Sequence, residues 1–238
     1  MSKYRLKNQA DSDRAELTIY GDIIDDKAAS IYEEWGIDGG VSPTDFKAKL
    51  DAVGDKPLDV YISSDGGDVP SGLAIANMLA RRQAETVGYI DGWAASIAGI
   101  IFLACKNRYM AKNTFLMLHQ PIVMGFSGNI DDVERLAQWL KTTTDDSLGF
   151  IIDRLRNPTK DCNTVTDYYK AEHWYGAKEA AQYFDINITG DDGLRAVASC
   201  KSYKMPPKLA ERLETQAHDK LVASAKEALK NAYGTLYR

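Results

Sequence analysis

Between Leu58 and Cys105 the chain writes one pattern twice, and this repeat constrains the fold more than any other feature. LDVYISS (58–64), rich in β-branched and apolar residues, runs into Asp65-Gly66-Gly67-Asp68. VPSGLAIANMLARRQ follows, with Leu73, Ile75, Ala76, Met78 and Leu79 at helical spacing, Asp68 placed to cap and Pro70 placed in the first turn. TVGYID (86–91) then runs into the turn GWAAS (92–96), and IAGIIFLAC is apolar on nearly every side, the pattern of a buried helix. Two strand-turn-helix units in succession need parallel strands with crossover helices, so the chain reads as α/β.

The flanking segments extend this reading. AELTIYGDII (15–24) has the composition of a first strand, followed by a helix from Asp26 to Trp35. GIDGGVSPTDF is a loop in which Ser42, Pro43 and Asp45 form a helix start that continues through Val53. RYMA and TFLMLHQP are strands joined at Lys112-Asn113, the second ending in His119 and closed by Pro121. Asn129 can cap a long helix, IDDVERLAQWLKTTTDDSLGFIIDRLRN, whose length predicts projection from the domain. VTDYYKAEHWYGAKEAAQYF reads as a shorter helical stretch. Past Pro206-Pro207, Leu209, Leu213, Ala217, Leu221, Ala225 and Leu229 make a narrow apolar stripe, so residues 1–200 are expected to be the domain and 201–238 a helical tail.

With 238 residues, one sizeable core is the expectation. Twenty-nine Lys and Arg against 34 Asp and Glu give a net charge of −5 with the signs interspersed, which argues against nucleic acid or an anionic membrane as principal partner. Cys105, Cys162 and Cys200 are odd in number and lack metal-ligand spacing, which points to no disulfide framework, no metal and a reducing cytoplasm. The longest apolar run, around Ile97 to Cys105, is too short for a bilayer, and residues 1–16 lack the apolar region of a leader.

Acyl transfer by serine needs a base, a group that orients the base, and N–H donors for the developing oxyanion. Ser96 stands between strand and helix in Ala94-x-Ser96-x-Ala98, small residues where nucleophile elbows place glycine. The same Ala/Ser/Gly segment equally suits close helix packing. His119 ends an apolar strand, where a histidine is structural more often than catalytic; of the other histidines, His218 lies on the tail and His173 beside Glu172. Gly66-Gly67 serve either as a tight turn or as backbone that presents an N–H to a substrate carbonyl.

The order SSDGGDVPSGLAIANML, VGYIDGWAASIAGIIFLA, NTFLMLHQP, AEHWYGAKEAAQYF resembles the ClpP family of serine peptidases over residues 15–190, and most closely its phage and prophage branch associated with head maturation. In that family the second glycine of S-P-G-G supplies an oxyanion N–H, the serine of A-A-S is the nucleophile and the histidine of M-x-H-x-P is the base. The resemblance therefore implies Ser96 and His119 as nucleophile and base, with the N–H groups of Gly67 and Ile97 as the oxyanion hole. The phage branch shows E-T-W where bacterial members have D-R-F. Here the triplet is Glu172-His173-Trp174, which implies Glu172 as the acidic member and leaves Asp167 as the runner-up.

The chain also departs from the family pattern. Asp65 replaces the proline of S-P-G-G, and Cys105 stands where the phage branch often has glycine, in a buried helix that suits a small hydrophobe. The resemblance implies a ClpP/crotonase-like spiral of strand-turn-helix units and a serine endopeptidase that uses no cofactor and no metal. It further implies ring-forming homo-oligomers and polypeptide substrates, including capsid or scaffold proteins in the phage case, with an ATP-driven unfoldase as an alternative partner. Two other classes are open: a crotonase-type acyl-CoA enzyme on the same fold, and a non-catalytic assembly scaffold.

Overall fold

Both strand-turn-helix units form, and the sheet they build is what positions the site. The computed structural model describes residues 6–7, 13–37 and 39–190; the tail expected over 201–238, and with it the domain boundary near 200, lies outside them. The elements are β1 (Leu6–Lys7), β2 (Ala15–Tyr20), α1 (Asp26–Glu34), α2 (Pro43–Val53), β3 (Leu58–Ser64), α3 (Val69–Arg81), β4 (Thr86–Ala95) and α4 (Ile97–Ala104). They continue as β5 (Asn107–Ala111), β6 (Phe115–Leu118), α5 (Ile130–Ile152), α6 (Pro158–Ala171), β7 (His173–Gly176), α7 (Ala177–Tyr183) and β8 (Asn187–Thr189). The expected helix starts are realised chemically: Ser42, Asp68 and Asn129 each accept a hydrogen bond from the backbone N–H three residues on, and Asn129 and Asp132 complete a reciprocal capping box.

Strands β2, β3, β4, β5 and β8 run parallel in that order, with the short β1 antiparallel at one edge. The ten-residue β4 serves two partners: Val87 to Ile90 pair with β5, whereas Trp93 to Ala95 pair in parallel with β6. The sheet thus forks along β4, and β7 completes the second branch by pairing antiparallel to β6. Helix α4 is buried at every residue, which removes Ile97, Ile100, Ile101, Phe102 and Leu103 from water at about 1.5–3 kcal/mol each.

Three segments differ from the sequence reading. The expected turn 92–96 is strand up to Ala95, and Ser96 alone makes the turn. Opposite β3 the register jumps from Ile62↔Ile90 to Ser64↔Ala94, so β4 carries two extra residues in a bulge that includes Gly92 and imitates a turn in the sequence. The first strand stops at Tyr20, and Ile23 makes only isolated parallel bridges, to Val41 and to Gly67. The helical stretch expected over 165–184 is a helix, a strand and a second helix, because His173 to Gly176 find a strand partner in β6, and pairing overrides local periodicity. The long helix α5 buries Thr143, Ser147 and Ile151 in its second half, while its first half leaves Ile130, Val133 and Trp139 exposed, as a projecting helix should.

Candidate active site

Strand register alone brings the expected residues together. Ala95 pairs with Met117 and Leu118 pairs with His173, so the residues just beyond these pairs are Ser96 after β4, His119 after β6 and Glu172 before β7. Gly66 and Gly67 follow β3, whose last residue pairs with Ala94. The site occupies the carboxyl ends of β3, β4 and β6, the end of a parallel sheet where crossover connections leave backbone groups free.

Ser96 is held at φ 56°, ψ −128°, a conformation that costs a non-glycine residue about 1–3 kcal/mol. Its N–H donates to Met117 O at 2.9 Å and its carbonyl accepts from Gly99 N–H at 3.0 Å, so both flanks of the strained turn are tied down. Ser96 is the N-cap of α4, yet its side chain makes no capping bond. Its Oγ instead lies 2.8 Å from His119 Nε2.

The glycine turn faces this serine. Gly66 O accepts from Ile23 N–H at 2.7 Å, and in a trans peptide the next N–H points the opposite way, so Gly67 N–H is directed away from Ile23. A Cβ on Gly67 would stand 2.0 Å from Ile23 O, so only glycine fits there. Gly66 (φ 98°) is equally constrained from the other side: a Cβ would lie 2.7 Å from Ser96 Cβ, 2.8 Å from Ala95 O and 3.3 Å from Ile97 N. Ile97 opens α4, so its N–H has no partner within the helix. The turn therefore leaves a side-chain-free approach to the N–H that follows Ser96.

Glu172 Oε2 is 3.9 Å from His119 Nδ1, and the glutamate side chain is 57% exposed against 15% for the histidine. This is an ion-pair distance, longer than a hydrogen bond. Glu172 ends α6 at φ 59°, ψ 95°, again in the left-handed half of backbone space. Asp167 is exposed on α6, within the helix and five residues earlier. His173 is committed elsewhere, its Nε2 2.9 Å from Glu179 Oε1 and its ring stacked on Tyr168.

Val69, Ile97, Ile100, Pro121, Ser147 and Tyr169 line a small cavity that opens beside Ser96 and His119. Burial pushes the Tyr169 hydroxyl up to about 12, so it stays neutral as part of that wall. Asp65, itself exposed, accepts a hydrogen bond from the indole N–H of the exposed Trp93, which anchors its carboxylate. Cys105 is fully buried, and burial pushes its thiol up to about 12, which makes it an inert core residue.

The family model described as Clp protease matches residues 48–186, a span that contains every candidate residue named above. The chain belongs to the Clp protease family. The ATP-dependent Clp protease proteolytic subunit 2 of Borreliella burgdorferi is 45% identical over 83 residues, 33% of this chain and 40% of that protein. The proteolytic subunit of Bdellovibrio bacteriovorus is 37% identical over 93 residues, 37% of this chain and 44% of the relative. That of Leuconostoc citreum is 28% identical over 183 residues, 76% and 84% of the two chains. The chain thus spans less than half the length of the first two of these relatives. Within this Clp protease frame, sequence reading alone missed the steric role of Gly66 against Ser96 and the Trp93 anchor of Asp65. The paired glycines were the one available signal, and nothing in the sequence linked Trp93 to Asp65 across the bulge.

Proposed function

We propose that this Clp protease family member is a serine endopeptidase. The observation that carries the reading is the 2.8 Å approach of His119 Nε2 to the Oγ of a serine on a strained turn at the head of a buried helix. His119 takes the Ser96 proton as Oγ attacks a peptide carbonyl, and the oxyanion is held by the N–H groups of Gly67 and Ile97. His119 then gives the proton to the leaving amine, and a water activated by the same imidazole splits the ester to regenerate Ser96. Glu172, at 3.9 Å from Nδ1, orients the imidazole and balances its charge.

In the finer reading the chain is a phage or prophage ClpP-like protease that processes capsid or scaffold proteins. Glu172-His173-Trp174, similar to the E-T-W of the phage branch where bacterial members have D-R-F, supports it. Ring assembly is part of the same proposal, supported by the exposed Ile122, Met124, Phe126, Ile130 and Val133 along the loop before α5 and the helix itself. General proteolysis fed by an ATP-driven unfoldase is the alternative use of the same site, and the relatives' names call those proteins ATP-dependent.

The test is a fluorophosphonate probe with wild type and Ser96→Ala. Covalent labelling of wild type alone is expected; folded wild type that stays unlabelled while turning over an acyl-CoA would sink the peptidase reading. Co-expression with a capsid protein separates the finer readings: cleavage that depends on Ser96 supports head maturation, and equal absence of cleavage in both chains supports a scaffold.

A further inference from the structure

Glu172 is a strained residue on the outside of the site, with more than half of its side chain exposed, and nothing yet described holds it against His119. A left-handed non-glycine residue persists only where its neighbours over-determine it. On the α6 side the buried Tyr169 provides this constraint. On the β7 side the next residue, His173, is gripped from three directions. Its Nε2 bonds Glu179 Oε1 of α7 at 2.9 Å. Its ring stacks on Tyr168 of α6 with centroids 3.9 Å apart and planes 8° from parallel, and Tyr168 bonds Tyr183 of α7 in turn. The edge of the stack rests on Tyr175, 4.5 Å away at 75°. His173 is also the residue that pairs with Leu118, immediately before His119.

We propose that His173 is a positioning residue: clamped to α7 by Glu179 and to α6 by Tyr168, it fixes the turn at Glu172 so that the carboxylate stays on His119 Nδ1. The clamp and the strand register together join the acid and the base through adjacent residues. The inference rests on the peptidase reading, with His173 acting only through Glu172.

The experiment measures Ser96-dependent peptide hydrolysis for wild type, His173→Ala, His173→Gln, Glu172→Ala and the double variant His173→Ala/Glu172→Ala, with a melting temperature for each. Expected is a fall in kcat of about tenfold for His173→Ala with KM within about twofold, since misplacing a charge acts on the reacting geometry rather than on binding. The glutamine amide reproduces the Nε2 bond to Glu179, so His173→Gln is expected to recover most of the loss. In the Glu172→Ala background, removing His173 is expected to cost nothing further. The same loss in both backgrounds, or an unchanged kcat in His173→Ala, would overturn the inference while leaving the peptidase reading intact. Should His173→Ala fail to fold, His173→Phe keeps the stack, loses only the Glu179 bond and carries the same comparison. A wild-type chain without Ser96-dependent hydrolysis would overturn the peptidase reading itself.

Discussion

Ser96 and Glu172 are the two described non-glycine residues with positive φ, 56° and 59°, and they stand on opposite nitrogens of His119 at 2.8 Å and 3.9 Å. Backbone strain of this kind marks places where geometry is held against local preference. Here the two places flank one imidazole, one facing each ring nitrogen. Each is tied down by strand pairing rather than by its own side chain, Ser96 through β6 and Glu172 through the first residue of β7.

If strain is stored at Ser96, removing the side chain in two ways should separate it from chemistry. Both Ser96→Ala and Ser96→Gly are expected to abolish probe labelling. Glycine ordinarily destabilises relative to alanine, but at φ 56° it relieves the steric penalty, and no capping bond is lost because Ser96 makes none. Ser96→Gly should therefore be more stable than Ser96→Ala by about 1 kcal/mol, read as a higher urea midpoint. The reverse order would mean that the turn relaxes at no cost.

Gly66 should prove as important as the glycine after it, for a different reason. In Gly66→Ala the new Cβ would lie 2.7 Å from Ser96 Cβ and 3.3 Å from Ile97 N, pushing on both the serine and the N–H proposed as an oxyanion donor. The expected loss in kcat/KM is at least about a hundredfold, the size of a lost oxyanion donor, with the protein still folded by circular dichroism. Gly67→Ala, with Ile23 O only 2.0 Å from the new atom, is expected to disrupt the β3 end itself and to show mainly as lost stability.

The strand-turn-helix repeat made the fold class legible in the sequence, because apolar runs and capping residues are local signals. The pairing of Ser96 with His119, a 2.8 Å contact, was expected once a family pattern joined them. What escaped was set by contacts between strands distant in the chain. Gly92 reads as the start of a turn, yet it sits in a bulge beside Ser63, more than 25 residues away in sequence. His173 to Gly176 read as helix because their own periodicity continues α6, and only the antiparallel fit to β6 makes them a strand. That same break falls at Glu172, the positive-φ residue whose carboxylate lies 3.9 Å from His119 Nδ1, so the least local feature of the fold stands beside the imidazole.

Glu172 and Asp167 can be separated directly. With its carboxylate 3.9 Å from Nδ1 and 57% exposed, Glu172 is screened by water and should contribute less than a buried hydrogen-bonded aspartate, whose loss costs about 10⁴ in kcat. Glu172→Gln is expected to lower kcat about 10- to 100-fold with KM little changed, and Asp167→Asn to leave both within about twofold. A larger loss from Asp167→Asn than from Glu172→Gln would reassign the acid.

Alkaline pH should unfold the protein through its buried proton donors. Burial raises the Cys105 thiol from 9.0 to about 12 and the Tyr169 hydroxyl from 10.0 to about 12, because the folded state disfavours their anions. A raised folded value means that these groups' stabilisation is fully present below the unfolded value and is lost as pH climbs towards the folded one. Stability is thus expected to hold up to about pH 9 and to fall between pH 9 and 12, the fully buried thiol alone contributing a slope of up to about 1.4 kcal/mol per pH unit. Urea midpoints at pH 8, 9.5 and 10.5 check this, and Cys105→Ala should flatten the first part of the decline. In a Cys162→Ser/Cys200→Ser background the remaining thiol should react with a disulfide reagent only at the rate of unfolding. Rapid labelling of the native protein at pH 8 would place Cys105 in contact with solvent and remove the basis for the alkaline transition.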